Sequence, residues 1–232
     1  MRKLILSASV SLDGVMQAPG GPEEDPTGGF RHGGWVATMW DDDLSAAMSE
    51  LFAEPLDLVL GRRTYDIFAA HWPYVQMDPS KGDFEKLNYD IARKFNSITK
   101  YVATHHPETL TWQNSEALGP DVAGRLRALK AGDGPSLLIQ GSTELIQQLL
   151  AADLIDEIRT LTFPIVLGRG KRLFGEGTVP VALRLTHSIT SANGAVIARY
   201  ERAGAVQTGS FAMETPTAAE LARREKLKRE GR

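Results

Sequence analysis

The chain reads as an α/β protein whose mostly parallel sheet ends in an antiparallel hairpin. Three observations predict this. Short apolar segments with a period near two alternate with segments whose apolar residues recur at helical spacing. Two of the apolar segments, residues 56–60 and 136–139, run straight into a glycine and then a helix, at Gly61 and Gly141. Near the C-terminus, Asn193-Gly194 separates two alternating runs, the strongest short-range signal for a hairpin.

Residues 3–10 form the first strand, expected to be central, and the Ser-Leu-Asp-Gly sequence at 11–14 turns the chain. Glycine and proline crowd residues 18–35 too densely for a regular element, yet Phe30 and Trp35 are out of place in a solvated linker. A mobile lid is expected there. Leu44, Ala47, Met48, Leu51 and Phe52 make one stripe of a helix at 43–54, with the acids 41–43 as cap and dipole partners. The strand at 56–60 leads through Gly61 into a helix at 64–70, which stops before His71-Trp72-Pro73 because the residue before proline disfavours helix.

Phe84, Leu87, Ile91 and Phe95 mark a helix at 83–96, followed by a strand at 100–104. A helix at 121–130 closes at Gly132. Residues 136–139 and 144–152 repeat the strand-to-helix arrangement through Gly141-Ser142-Thr143. Residues 157–166 return as strand, then comes a glycine-rich turn at 167–170, and 182–189 with 195–200 form the hairpin. Beyond Arg202, Thr217 and Glu220 allow a capping box, but Leu221 and Leu227 alone give the helix at 218–229 little apolar stripe. The organisation is one domain over 1–204 and a charged, partly helical, frayed tail over 205–232.

Composition narrows the function. The 232 residues are 42% hydrophobic and 24% charged, ordinary for a globular chain that buries a core. Without cysteine there are no disulfides, thiolate metal sites or thiol nucleophiles. Apolar runs are far short of the roughly 20 residues of a membrane span, and no signal-peptide core follows Met1, so a cytoplasmic location is expected. A net charge of −3 with dispersed basic residues argues against nucleic acid as a partner. His105-His106 is a poor metal pair, because neighbours on an extended segment point to opposite faces; no metal site is expected.

The chemistry gathers at the two junctions. A helix that follows a strand directly aims unpaired N–H groups and its positive dipole end above the sheet edge, where phosphate is the usual occupant. At the first, Gly61 permits close backbone approach, and Arg62, Arg63 and Thr64 offer guanidinium forks and a hydroxyl suited to a phosphomonoester as well as a diphosphate. At the second, Gly141 lacks a side chain and Ser142 and Thr143 offer hydroxyls. Taken singly, each also fits a tight turn or an N-cap. Their pairing in one sheet favours a nucleotide, since open sheets bind ligands beyond the carboxyl ends of their strands. Neither a Gly-x-Gly-x-x-Gly fingerprint nor a Walker A motif is present.

In this order, SLDG (11–14), LGRRTY (60–65), KYVAT (100–104), IQGSTEL (139–145) and FPIVLGRGKRLF (163–174) resemble the dihydrofolate reductase-like superfamily. The similarity covers about residues 2–202 and points to the branch that shares its fold with the riboflavin-pathway pyrimidine reductase. It implies a three-layer fold with an eight-stranded sheet, NADPH across the strand ends, hydride transfer to a pterin-like or pyrimidine-like molecule, and a homodimer through the C-terminal strands. It also implies positions. Gly61, Arg62, Arg63 and Thr64 would take the 2′-phosphate and diphosphate region, with Thr104 and His105 by the adenosine. Gly141, Ser142, Thr143 and Leu145 would line the diphosphate and nicotinamide, and Ser7 or Ala8 would face the nicotinamide.

The substrate side departs from the pattern. Asp43 is the nearest counterpart of the carboxylate that folate reductases carry on their first helix, and Asp13 matches a substrate-approaching position of the pyrimidine-reductase branch. A helix cap explains Asp43 and a local Asp-Gly turn explains Asp13. Trp35, Trp72 and Phe163 are candidates for an aromatic wall, and core packing accounts for each as well. A nucleotide-binding protein without efficient catalysis is the alternative reading; an interaction protein acting through the basic C-terminal helix ranks last.

Overall fold

The computed structural model describes residues 1–78 and 82–231. Eight strands form one sheet: β1 (Leu4–Ser11), β2 (Leu56–Gly61), β3 (Lys100–Ala103), β4 (Ser115–Ala117), β5 (Ser136–Gln140), β6 (Glu157–Phe163), β7 (Leu183–Thr190) and β8 (Val196–Arg202). Their order is β4-β3-β2-β5-β1-β6-β8-β7. The pairs from β4 through β6 are parallel, whereas β8 runs antiparallel to β6 and to β7. The mostly parallel sheet with an antiparallel end is therefore as expected, and β1 is central.

The helices are α1 (Asp42–Ala53), α2 (Arg62–Ala69), α3 (Gly82–Ser97), α4 (Val122–Ala131), α5 (Thr143–Ala151) and α6 (Ala218–Glu230). Among the described residues none is long and apolar enough to cross a membrane. Strand alternation splits the core between two faces. Leu4, Leu6, Leu137 and Ile139 meet Leu126 of α4 and Leu145, Ile146 and Leu149 of α5. Ile5, Leu58, Leu60 and Leu138 point the other way, toward Leu51 and Phe52 of α1, Tyr65 of α2 and Ile91 and Phe95 of α3. Each such buried side chain stabilises the fold by about 1.5–3 kcal/mol, which is why the inner strands read as almost continuous apolar runs.

The glycine-rich segment differs from expectation. It forms a wall whose aromatic residues are core: Phe30 and Trp35 pack with Val15, Leu161 and Phe163. The Trp35 indole N–H donates to the Gln17 carbonyl at 2.9 Å, and Gln17 Nε2 donates to the carbonyls of Asp25 at 2.8 Å and Thr27 at 2.9 Å. Strand β4, only three residues long, has no signature in the sequence. In the tail, Thr217 accepts from the Glu220 N–H as an N-cap, but the Glu220 carboxylate turns to Arg223 and Arg224, so the box is half formed. Helix α6 buries no residue.

Candidate functional site

Parallel pairing of β2 with β5, Val59 opposite Ile139, brings Gly61 and Gly141 to the same sheet edge, so α2 and α5 begin side by side. Helices α1, α4 and α6 are capped by the side chains of Asp41, Asp121 and Thr217, whereas neither α2 nor α5 has a side-chain cap. Two helix starts thus present free N–H groups and their positive dipole ends to one space.

Ser142 joins the two junctions. Its Oγ accepts from the Gly61 N–H at 2.8 Å and donates to Thr64 Oγ1 at 2.9 Å. The bonds hold Ser142 in the left-handed region at φ 59°, directly after Gly141 at φ 60°. A non-glycine residue there costs roughly 1–2 kcal/mol, which these contacts offset. The Ser142 hydroxyl, read from sequence as a phosphate donor, is committed within the protein; the α5 N–H groups are what the second junction offers an anion.

The adjacent arginines are not equivalent. Arg62 is tied to Asp66 at 2.9 Å and to Thr109 Oγ1, and its guanidinium lies 5.8 Å from the Tyr65 ring centre; the Asp66 hydrogen bond raises its pKa further. Arg63 is exposed and has no polar partner among the described residues.

A cleft of about 890 Å³ opens above this edge. Ser7, Ala8, Gly61, Arg62, Arg63, Thr64, Thr104, His105, Gly141, Ser142, Thr143 and Leu145 all line it, so the structure gathers every residue that the sequence proposed for a cofactor. Ser9, Met16, Gln17, Ala18, Glu24, Asp25 and Lys171 also line it. The Lys171 ammonium donates to Asp25 at 2.5 Å and its backbone N–H to Gln17 Oε1 at 3.0 Å. Burial acts to raise the Asp25 pKa, but Lys171 and Thr27 outweigh it and hold the carboxyl below its usual range. Burial raises that of Glu24.

The substrate-side expectations require correction. Asp13 is outside the cleft and fully engaged: it accepts from Ser11 Oγ at 2.6 Å, from the N–H groups of Leu167 at 3.0 Å and Gly168 at 2.9 Å, and pairs with Arg172 at 3.3 Å. The Ser11 and Leu167 hydrogen bonds lead in lowering its pKa to about 2, which makes it a poor proton donor. Asp43 accepts from the Ala192 N–H at 3.0 Å beside Asp41, which accepts from Asn193, so the two acids tie α1 to the hairpin turn. It lines a smaller cavity of about 150 Å³, with Glu50, Arg159 and Arg199, which shares Ser7 with the cleft. Trp35, Trp72 and Phe163 make no common wall. Trp35 and Phe163 pack edge to face at 5.5 Å under the glycine-rich segment, and Trp72 packs on Phe68 and Phe95 beside α3. None of the three lines the cleft.

Sequence reasoning missed Gln17, Glu24, Asp25 and Lys171. The first three sit in or beside a Gly/Pro-rich stretch with no periodicity to mark which side chains turn inward. Lys171 lies inside the FPIVLGRGKRLF run and carries a signal there only once its partner is known.

An eight-stranded sheet of this order, antiparallel at one end and with a cleft over two helix starts, is a dihydrofolate reductase-like architecture. Residues 2–197 match the family model described as the RibD C-terminal domain, and the chain belongs to that family. It is 26% identical over 200 residues to the uncharacterized protein YyaP of Bacillus subtilis (strain 168), covering 84% of this chain and 92% of that one. Its fold is similar to that of a diaminohydroxyphosphoribosylaminopyrimidine deaminase/5-amino-6-(5-phosphoribosylamino)uracil reductase of Thermotoga maritima, with TM-score 0.54 and 13% identity over 87% of this chain and 57% of that one. It is also similar to dihydrofolate reductase of Enterococcus faecalis in complex with NADP(H), with TM-score 0.51 and 15% identity over 86% and 96%.

Proposed function

We propose that this chain is an NADPH-dependent reductase that delivers hydride to a pterin-like or pyrimidine-like small molecule, at a C=N bond or a ring-opened sugar. The observation that carries the reading is the pair of uncapped helix starts, α2 and α5, opening into one cleft with the exposed Arg63, which has no polar partner among the described residues, beside them. The residues fit the cofactor: a Cβ at Gly141 would lie 3.0 Å from Thr64, so the glycine is what lets the starts of α2 and α5 come this close. NADPH supplies the hydride when bound. The protein holds the acceptor in line, and the wall from Gln17 to Asp25 keeps water from it.

The supporting experiment is NADPH oxidation against pterins, folates and ribosylaminopyrimidines; no turnover with any of them removes the support for a reductase. The rival reading, a nucleotide-binding protein without efficient catalysis, is favoured by the absence of Asp13 and Asp43 from the cleft, and predicts tight NADPH binding without oxidation. A homodimer through β7 belongs to the same proposal. That edge strand leaves Leu185 and Ile189 exposed along eight residues, a surface that isolated proteins usually cover, and sedimentation reads its state.

Arg63 is assigned the phosphomonoester that distinguishes NADPH from NADH, because Arg62 is already bound to Asp66. Arg63→Ala is expected to weaken NADPH binding by about 10–100-fold, the value of charge-assisted hydrogen bonds, and to leave NADH affinity unchanged in calorimetry. Equal losses for both cofactors would refute the assignment.

A further inference from the structure

Among the described residues four carboxylates line the cleft, and two are held in ion pairs. Asp66 is paired with Arg62 and Asp25 with Lys171, and Glu144 is exposed in the first turn of α5, at the second junction. The fourth is Glu24. Its Oε2 accepts the N–H groups of Gly20 at 2.6 Å and Gly21 at 3.2 Å, which pins the side chain in the wall and leaves Oε1 without a partner in the described structure. It lines the cleft beside the cluster in which Gln17, Asp25 and Lys171 bind one another and Met16 N–H donates to the Lys171 carbonyl.

We infer that Glu24 is the general acid of this cleft, donating a proton to the substrate as it is reduced. The inference rests on the reductase reading above. For a C=N acceptor the step balances. The Glu24 O–H bond breaks and an N–H bond forms, using the π pair of the C=N bond as hydride from the nicotinamide reaches the adjoining carbon. The substrate is reduced, the cofactor is oxidised, and solvent water returns the proton to Glu24. The facing groups agree with this. Neighbouring Asp25 disfavours a second negative charge, and the Lys171 ammonium that would favour one is occupied by Asp25. Burial keeps the Glu24 proton to higher pH than an ordinary glutamate.

Glutamine at this position still accepts from Gly20 and Gly21, so Glu24→Gln keeps the wall while removing the proton. Two readouts decide. With glutamate δ-carbons labelled and NADP⁺ bound, one carboxyl should titrate above the ordinary glutamate range in the wild-type protein and be missing from Glu24→Gln. With any acceptor that the wild type reduces, Glu24→Gln should lower kcat by about 100–1,000-fold, with NADPH affinity unchanged and the fall in rate at high pH abolished. Glu24→Asp should retain part of the rate. An ordinary titration for Glu24, or a glutamine variant with wild-type kcat and pH profile, overturns the inference while the reductase reading stands. Failure of the wild type to bind NADPH at all sinks both, and the titration needs no turnover.

Discussion

Gly141→Val is expected to lower NADPH affinity at least about 100-fold and to destabilise the protein by about 2–4 kcal/mol, the sum of a left-handed backbone penalty and local overpacking. Two physical effects combine at this residue. Its φ of 60° lies where a β-branched side chain is strained, and a Cβ would approach Thr64 Oγ1 and Cγ2 to 3.0 Å. Thr64 has little room to yield, since it is 8% exposed and its Oγ1 accepts from Ser142. Either the turn opens, moving the start of α5, or Thr64 shifts and moves the start of α2. Both outcomes disperse the N–H groups on which an anion would sit. Calorimetry with NADPH and a thermal melt measure the two effects separately. Wild-type affinity in a folded Gly141→Val protein would show that the junctions do not hold the cofactor. Ser142→Ala is the milder control: it removes the side-chain link and leaves the glycine.

The contrast between what could and could not be read from sequence follows the range of the forces involved. The two junctions were legible because strand, glycine and helix succeed one another within ten residues, and the cofactor positions they imply do line one cleft. The hairpin was legible because Asn193-Gly194 encodes its turn locally, with Gly194 at φ 82°. Long-range partnerships were not. Asp13 looks like a reactive carboxylate until Leu167 and Gly168, more than 150 positions away, are seen to donate to it. Lys100 reads as the polar start of a strand, yet it is wholly buried; its ammonium donates to the Phe95 carbonyl at 2.8 Å and lies 4.4 Å from the Trp112 ring centre. Burial lowers its pKa to about 8. Trp35 and Phe163, 128 positions apart, are candidates for a ligand wall until packing shows them in contact with each other. Spacing records which side of an element a residue occupies and is silent on what meets it.

Asp13→Asn should separate a structural carboxylate from a catalytic one. The ionised side chain accepts four donors, which bind the turn after β1 to the glycine-rich turn at 167–170. An amide keeps one accepting oxygen and turns an NH2 toward one of those donors, so a loss of about 2 kcal/mol at neutral pH is expected. The pH dependence has a definite sign. The folded-state pKa is depressed to about 2, below the unfolded value near 4. The carboxylate therefore contributes its full stability above about pH 4, and that contribution is lost as pH falls from about 4 through 2. Unfolding curves of wild type and Asp13→Asn should accordingly differ by a constant amount from pH 5 upward and converge in acid. NADPH affinity should be unchanged, because Asp13 does not line the cleft. A variant of wild-type stability that had lost hydride transfer would restore Asp13 to the catalytic role that its position in the SLDG turn suggests.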